Sequence, residues 1–325
     1  MRHSGQRSLR YLLIPGLGFA LVCAISAIFL AEGALHPARL SLVYRDQIRQ
    51  RVAKQYGTEL QEVSITAHDG AVLRAWYIEP PNANGSTVIL LHGLGDTRQG
   101  VAGFAPFLLH AGYSVLLPDS RAHGESGGHL VTYGVQESHD VHDWVSWLIA
   151  QHTTACVYGF GESMGAAIML QALATDDRVC AAVAESPFAS FEAIAAERVM
   201  QISRLNNSIV RYFAPLPVEF AEFYTQIRYG IDLDEASPAK ALAQTRVPVL
   251  LIHGTADVNI PPHHSQKLAQ VANRSTELWL VPGAGHCGAW AVAPDQFPRR
   301  VLDWFALHSS RAPAVVASRI ETYVP

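Results

Sequence analysis

Residues 155–169 read ACVYGFGESMGAAIM, which predicts a short apolar strand, a sharp turn around Ser163 and a helix that begins immediately afterwards. Gly161 and Gly165 flank the turn, and a strand that turns straight into a helix leaves almost no room for side chains beside its tip. This pattern is typical of a nucleophile elbow, in which a serine is held out at the top of a parallel sheet. Ser163 is therefore the candidate nucleophile.

Strand and helix patterns alternate on both sides of the elbow. An antiparallel hairpin is predicted over 63–78. Apolar runs typical of buried parallel strands follow it at 87–91, 114–118, 155–159, 179–184, 247–252 and 277–281. Helices are predicted between them at 134–150, 163–175, 262–272 and 294–307. This alternation predicts an α/β fold with a mostly parallel sheet and helices on both faces.

A long insertion interrupts the alternation at 187–246. It carries no strand signal and is far longer than the usual connection of about 4–6 residues. It is rich in Phe, Tyr, Ile and Leu, so a helical cap is predicted rather than a loop. Its place between two sheet strands puts it over their carboxyl ends, where open α/β sheets bind ligands.

A serine nucleophile needs a histidine base and a carboxylate that orients the base. In folds with a nucleophile elbow, the serine comes first in the chain, the acid second and the histidine last. Only the histidines after Ser163 can therefore be the base: His253, His263, His264, His286 and His308. His286 follows the last strand within PGAGHCG, a glycine-rich loop that can return the imidazole over the sheet, and is the predicted base. The other four are predicted to have surface or capping roles.

Two carboxylates compete for the role of the acid. Asp257 lies five residues after the strand 247–252, in HGTAD, and is the predicted partner of His286. Glu185 is the rival, because it ends the preceding strand and so also reaches the carboxyl edge of the sheet.

Acyl transfer also needs N–H donors at the place where the oxyanion develops. One donor is predicted to be the backbone N–H of Met164, the residue after the nucleophile. The other is assigned to Leu94 in the loop HGLGD, which follows strand 87–91. His92 precedes Ser163 in the chain and is predicted to brace this loop.

Five motifs in this order resemble the α/β-hydrolase superfamily: HGLG at 92–95, DSRAHGES at 119–126, GESMG at 161–165, HGTAD at 253–257 and GH at 285–286. Within it the chain looks like membrane-anchored serine hydrolases related to acylglycerol and lysophospholipid lipases and to the prolyl-oligopeptidase clan. The resemblance implies an α/β-hydrolase domain over 61–310 with a Ser-Asp-His triad. One departure is Ala122, where the family pattern has Gly, and it is expected only to stiffen that turn.

The expected activity is hydrolysis of a carboxylic ester, through attack by Ser163 and an acyl-enzyme that water then cleaves. The apolar cap favours a lipid-like or acyl ester as the small-molecule substrate. Hydrolysis of peptides or amides is the alternative activity, since the same triad supports it. A non-catalytic, membrane-tethered binding module is the alternative from another class. Neither a metal nor an organic cofactor is expected.

The N-terminus shows the strongest shift in composition. A basic tail over 1–10 precedes 21 residues without charge at 11–31, about 31 Å as a helix and enough to cross a hydrocarbon core of about 30 Å. A single membrane helix is predicted, with the catalytic domain outside the cytoplasm; a cleaved signal peptide and secretion are the alternative. A connector helix over 32–60 and a C-terminal tail over 311–325 complete the predicted organisation.

The overall composition excludes several classes of protein. The chain is 49% hydrophobic with a formal net charge of −4, which predicts a folded core and gives no sign of nucleic-acid binding. The four cysteines, Cys23, Cys156, Cys180 and Cys287, are scattered and suggest neither a disulfide framework nor a metal site. Oligomeric state is not predicted.

Overall fold

A computed structural model of the chain describes residues 21–152, 154–203 and 215–309, and its centre is one eight-stranded sheet. The strands in chain order are β1 (Leu60–Thr66), β2 (Val72–Ile78), β3 (Ser86–Leu91), β4 (Ser114–Pro118), β5 (Cys156–Glu162), β6 (Val179–Glu185), β7 (Val249–Gly254) and β8 (Thr276–Val281). Their order in the sheet is β1-β2-β4-β3-β5-β6-β7-β8. β2 pairs antiparallel with β1 and β4, and all other neighbours are parallel. The sheet is therefore mostly parallel, as predicted.

Helices cover the sheet and extend beyond it. They are the N-terminal helix (described over 21–35), Arg45–Tyr56, Ala105–His110, Glu137–Gln151, the elbow helix (Met164–Ala172), the first cap helix (Phe191–Ser203), the second cap helix (Pro215–Tyr229), Pro238–Gln244, His263–Val271, Ala289–Val292 and Gln296–Leu307. Short 3-10 turns lie at Val101–Phe104 and Leu233–Glu235.

The structure differs from the predicted helices in two places. The connector predicted over 32–60 is not one helix: residues 32–35 end the N-terminal helix and Arg45–Tyr56 form a second one, because Pro37 disfavours helical backbone at the residue before it and Gly57 ends the second helix with φ 64°. Residues Val101–His110 form a 3-10 turn and a short helix that the sequence pattern did not predict. With only ten residues, this stretch is too short to show a clear helical period.

The core lies on both faces of the sheet. Because side chains alternate along a strand, Val157 of β5 joins the cluster on one face, while Tyr158 and Phe160 join the cluster on the other. Phe160 is fully buried, and burial of one such side chain contributes about 1.5–3 kcal/mol. The sheet is thus fixed from two sides, which makes its carboxyl edge a rigid platform.

The strand order creates a switch point between β3 and β5. The chain passes from β3 to β4 on one side of β3 and then crosses to β5 on the other side. The loops at the carboxyl ends of β3 and β5 therefore diverge and leave a crevice. The candidate oxyanion loop follows β3, and Ser163 follows β5.

The predicted membrane segment at 11–31 is only partly described, since residues 11–20 lie outside the described residues, as do the two terminal tails. In the described ranges, no helix combines the length and the apolar character that crossing a membrane requires. The described part at 21–35 packs against the domain, with Ala27, Ala31 and Leu35 buried.

Cys156 and Cys180 form a disulfide, with Cα atoms 5.8 Å apart. The expectation that the cysteines form no disulfide framework is therefore wrong for this pair. The two residues lie on the neighbouring parallel strands β5 and β6, which the elbow helix separates by 24 residues of sequence. A spacing of this length does not reveal that the two strands are adjacent.

Candidate active site

Ser163 lies at the tip of a strained turn between β5 and the elbow helix. Its φ of 53° is a left-handed conformation that non-glycine residues rarely adopt. A Cβ at Gly161 would come within 2.4 Å of the Gly165 carbonyl oxygen, and one at Gly165 within 2.4 Å of the Leu91 carbonyl oxygen. Only glycine fits at these two positions, so the turn is as tight as the sequence predicts.

The structure brings Ser163, His286 and Asp257 into one chain of hydrogen bonds. The distance from His286 Nε2 to Ser163 Oγ is 2.9 Å, and that from His286 Nδ1 to Asp257 Oδ2 is 2.8 Å. Since Nδ1 faces a carboxylate, it carries the ring proton, and Nε2 is left to accept from the serine hydroxyl. This is the geometry that a serine nucleophile needs.

Asp257 is held in its charged form by its surroundings. Burial alone raises the pKa of its carboxyl group, but hydrogen bonds from His253, His286 and the Ile260 N–H outweigh burial and hold the pKa well below its ordinary value. The N–H groups of Asn259 and Ile260 both donate to Oδ1 at 2.9 Å. The carboxylate is thus fixed and charged beside the imidazole.

His253 has a role that the sequence analysis missed, since a surface or capping role was expected for it. The side chain is fully buried, and its Nε2 lies 3.4 Å from Asp257 Oδ2 and 2.8 Å from the Ile260 carbonyl oxygen. Its Nδ1 lies 2.6 Å from Ser265 Oγ. The position of His253 within the apolar run of strand β7 is the feature of the sequence that could have predicted its burial.

Glu185, the rival acid, is not bonded to the imidazole of His286. It accepts a hydrogen bond from the Ala289 N–H at 3.0 Å, and so holds the chain just after the histidine loop. Burial raises the pKa of Glu185 to about 7. Burial is the main cause that raises the pKa of Glu162 to about 8, and repulsion from Glu185 and Asp96 adds to it. Two carboxyl groups with raised pKa values, which are protonated more readily than ordinary glutamates, thus lie behind the candidate triad.

Two buried histidines hold the candidate oxyanion loop. His92 accepts a hydrogen bond at Nε2 from the Ser120 N–H at 3.0 Å, and His123 accepts one from the Gly95 N–H at 3.1 Å. Leu94 lies in the turn between them and lines the same pocket as Ser163. Met164 is the first residue of the elbow helix. Its backbone N–H is free to bind an oxyanion, because the N–H groups in the first turn of a helix have no acceptor within the helix.

Ala122 adopts φ 59°, a conformation that favours glycine. Its replacement of the family's glycine therefore adds backbone strain of about 1–2 kcal/mol as well as any stiffening. Asp119 supports the same segment, since its carboxylate accepts hydrogen bonds from the N–H groups of Arg98 and Glu125.

Ser163 opens into a cavity of about 420 Å³, within the usual range for small-molecule sites. The cavity is lined almost entirely by apolar side chains, and Arg198 is its single charged lining residue among those described. The first cap helix presents one face to it, at the helical spacing of Phe191, Ile194, Ala195, Arg198 and Val199. A second groove of about 790 Å³ lies between Arg39 and Arg121 and does not include Ser163.

Glu197, His263 and His264 form the one group within the described ranges that could hold a metal ion. The Ala189 N–H donates to His264 Nδ1 at 3.1 Å, so neutral His264 carries its proton on Nε2 and donates it towards Glu197 at 3.3 Å. His263 Nε2 lies 2.9 Å from the other Glu197 oxygen. The group is satisfied as a polar link between the first cap helix and helix His263–Val271. His264 is buried, whereas a surface or capping role was predicted for it.

Comparisons with known proteins identify the family of this fold. A sequence model of the alpha/beta hydrolase family matches residues 88–303, more than half of the chain. The chain is 29% identical over 256 residues to the uncharacterized protein YqkD of Bacillus subtilis, which covers 78% of this chain and 77% of YqkD. It is 27% identical over 253 residues to the uncharacterized protein YfhR of Escherichia coli K12, covering 73% and 78% of the two chains.

Among solved structures the chain resembles the Pyrococcus furiosus esterase Pf2001, with a TM-score of 0.66 and 26% sequence identity. The match covers 84% of this chain and 99% of the esterase. The mostly parallel eight-stranded sheet and the strained serine turn agree with the family match. The chain therefore belongs to the alpha/beta hydrolase family.

Proposed function

We propose that the protein is a serine hydrolase that cleaves carboxylic esters through an acyl-enzyme. The observation that carries this proposal is the continuous hydrogen-bond chain from Ser163 Oγ through the imidazole of His286 to Asp257. Ser163 attacks the ester carbonyl carbon while His286 Nε2 accepts its proton. The imidazolium is stabilised by the charged Asp257 and then donates the proton to the departing alcohol.

Water completes the reaction by the same route in reverse. His286 removes a proton from water, the hydroxide attacks the acyl-enzyme, and the acid leaves as Ser163 regains its proton. In both steps negative charge develops on the carbonyl oxygen, where the N–H groups of Leu94 and Met164 would donate to it. Loss of one such donor in other enzymes costs about 2.7–4 kcal/mol of transition-state stabilisation.

The pocket favours an ester with an extended apolar group. Apart from Arg198 and Ser163, its lining is aromatic and aliphatic, with Tyr133 and Phe188 from the domain and Val218 from the second cap helix. Burial of an alkyl chain there would contribute about 0.8 kcal/mol for each CH₂. The resemblance to an esterase supports an ester as the substrate.

A membrane anchor at 11–31 with the domain outside the cytoplasm is also part of the proposal. The 21 uncharged residues support an anchor, and the disulfide between Cys156 and Cys180 supports an oxidising compartment. Residues 29–31, at the end of this segment, line the pocket, so an anchor formed by the residues before them would hold the pocket close to the lipid surface. Carbonate extraction and protease accessibility of intact cells or spheroplasts test it; a soluble, protease-protected protein with reduced cysteines would contradict it.

Hydrolysis of p-nitrophenyl esters with 2 to 16 acyl carbons tests the activity, with the full chain in detergent and Ser163→Ala as the matched variant. Peptide p-nitroanilides are measured beside the esters. We expect ester hydrolysis that favours medium or long chains and disappears in Ser163→Ala. Equal rates in the two proteins would contradict the serine mechanism, and faster cleavage of the anilides would move the assignment to amides.

A further inference from the structure

The N-terminal helix reaches the pocket that contains Ser163. Its residues Phe29, Leu30, Ala31, Gly33 and Ala34 all line that cavity. These residues precede the match to the family model, which begins at residue 88. They form a wall that the family motifs do not describe, and we name residues 29–34 the N-terminal wall.

Hydrogen bonds to the hydrolase domain hold the N-terminal wall in place. The Tyr133 hydroxyl donates to the Ala34 carbonyl oxygen at 2.9 Å, and the Val131 N–H donates to the Leu35 carbonyl oxygen at 2.9 Å. Leu35 is itself fully buried in the core. Tyr133 also lines the pocket, so the same residue contacts the cavity and fixes the wall.

A second set of hydrogen bonds ties the wall to the cap. Glu32 accepts from the hydroxyl groups of Tyr224 and Tyr229 at 2.6 and 2.7 Å, and both tyrosines belong to the second cap helix. That helix contributes Pro217, Val218 and Ala221 to the lining of the same pocket. The wall and the cap therefore enclose the cavity as one unit.

Gly33 is an exposed residue of the wall that lines the cavity without a side chain. At Gly33 an added Cβ would meet no heavy atom within 4 Å, so the space beside it is open. Leu30 is 37% exposed and Phe29 75% exposed, which places Phe29 towards the mouth of the cavity. A larger side chain at Gly33 can occupy this space without displacing the fold.

We propose that the N-terminal wall sets the longest apolar chain that the pocket accepts, so that Gly33 and Leu30 determine specificity. This inference rests on the proposed ester hydrolase function for its substrate. It concerns only the size of the apolar group, because the wall contains no group that takes part in the chemistry. Filling the space at Gly33 should exclude long chains, and shortening Leu30 should admit longer ones.

The test compares Gly33→Leu and Leu30→Ala with wild type, and Ile28→Ala is the matched control because Ile28 is an exposed residue of the same helix that does not line the pocket. kcat/KM is measured for p-nitrophenyl esters of 2 to 16 carbons with the full chain in detergent. We expect Gly33→Leu to lower kcat/KM at 10 or more carbons by about tenfold or more, with less than about twofold change for acetate. Leu30→Ala should move the optimum to longer chains, and Ile28→Ala should follow wild type.

A binding readout keeps this inference separate from the proposed activity. Fatty acids of 4 to 16 carbons are titrated against a fluorescent fatty-acid probe in the Ser163→Ala background. Gly33→Leu should weaken binding of the long acids only. An unchanged chain-length profile in both readouts would overturn the role of the wall. No ester hydrolysis by wild type, with a binding profile that still shifts in Gly33→Leu, would overturn the proposed activity and support the wall.

Discussion

The carboxyl edge of the sheet and the N-terminal wall meet at one pocket but are built in different ways. Ser163, Asp257 and His286 follow β5, β7 and β8, and the turn or loop that carries each one is recognisable in the sequence. The wall is fixed by contacts between distant parts of the chain, such as Glu32 with Tyr224, 192 residues apart. Local motifs thus place the reacting groups, whereas long-range packing shapes the space for the substrate.

This difference means that the two regions can be changed separately. A change at the sheet edge should alter the rate for every ester alike, since it acts on the reacting atoms. A change at the wall should alter the order of preference among esters.

Ser163→Ala should give the largest loss of ester hydrolysis. It should also separate the two regions most clearly, because it changes the sheet edge and leaves the wall intact. We expect kcat/KM to fall by at least about 10⁴-fold for all esters, because no other described group takes the place of the hydroxyl beside His286. Fatty-acid binding should stay within about twofold of wild type, since the wall and the cap are unchanged. Loss of binding in this variant would show that the two regions are not independent.

Asp257→Asn and Glu185→Gln compare two carboxyl groups at the same edge. Asp257 contacts the imidazole, so its amide variant should lower kcat by about 10³–10⁴-fold while the fold is retained. Among the described residues, the Glu185 carboxyl group has one hydrogen-bond partner, the Ala289 N–H at Oε1, so its variant should keep kcat within about tenfold. Steady-state rates, with circular dichroism as the check on folding, decide between them. A larger loss in Glu185→Gln would move the acid role to that residue.

Glu162→Gln should change how stability depends on pH. The pKa of Glu162 is raised to about 8 in the folded protein, above an ordinary value of about 4.3. Because the folded state binds this proton more tightly than the unfolded state, Glu162 contributes stability that is fully present below about pH 4. This contribution is lost as the pH rises through 8. The melting temperature of the variant minus that of wild type should therefore increase by several degrees between pH 5 and pH 9. This uses a conversion of roughly 2–4 °C for each kcal/mol of unfolding free energy.

The exposed Glu277 on β8 provides the control for this experiment. Glu277→Gln should show nearly the same difference from wild type at both pH values. A flat difference in Glu162→Gln as well would mean that Glu162 is charged in the folded protein.

Ala122→Gly should give the smallest effect. Glycine removes the strain at φ 59° but increases the freedom of the unfolded chain. We expect the free energy of unfolding to increase by about 0.5–1 kcal/mol, with little change in ester preference. Chemical denaturation measures this difference. A loss of stability would show that the buried methyl group of Ala122 stabilises the fold by more than the backbone strain destabilises it.

The sequence predicted the sheet and the residues that meet at its edge because both depend on local signals. Apolar runs indicate parallel strands, and the glycines around Ser163 indicate a turn with no room for side chains. The burial of His253, the disulfide between Cys156 and Cys180 and the N-terminal wall were not predicted. Each of them depends on which distant segments become neighbours, and a single sequence carries no direct signal for that.

The uncharged segment at 11–31 illustrates the same limit. Its composition predicts a membrane helix, yet residues 29–31 at its end line the pocket, and Glu32, the next residue, bonds to the cap. Composition shows that a segment is apolar but not which apolar surface it packs against. A chain that begins at residue 36 would lack the wall, so specificity should be measured on the full chain.

Labelling with a fluorophosphonate probe tests the central claim, that Ser163 is a nucleophile activated by His286 and Asp257. The full-length protein is treated with the probe, digested and analysed by mass spectrometry, beside Ser163→Ala and Asp257→Asn. We predict one adduct on the peptide that contains Ser163, none in Ser163→Ala, and labelling at least about 10²-fold slower in Asp257→Asn. An adduct on another residue, or no adduct on the folded wild-type protein, would contradict the account.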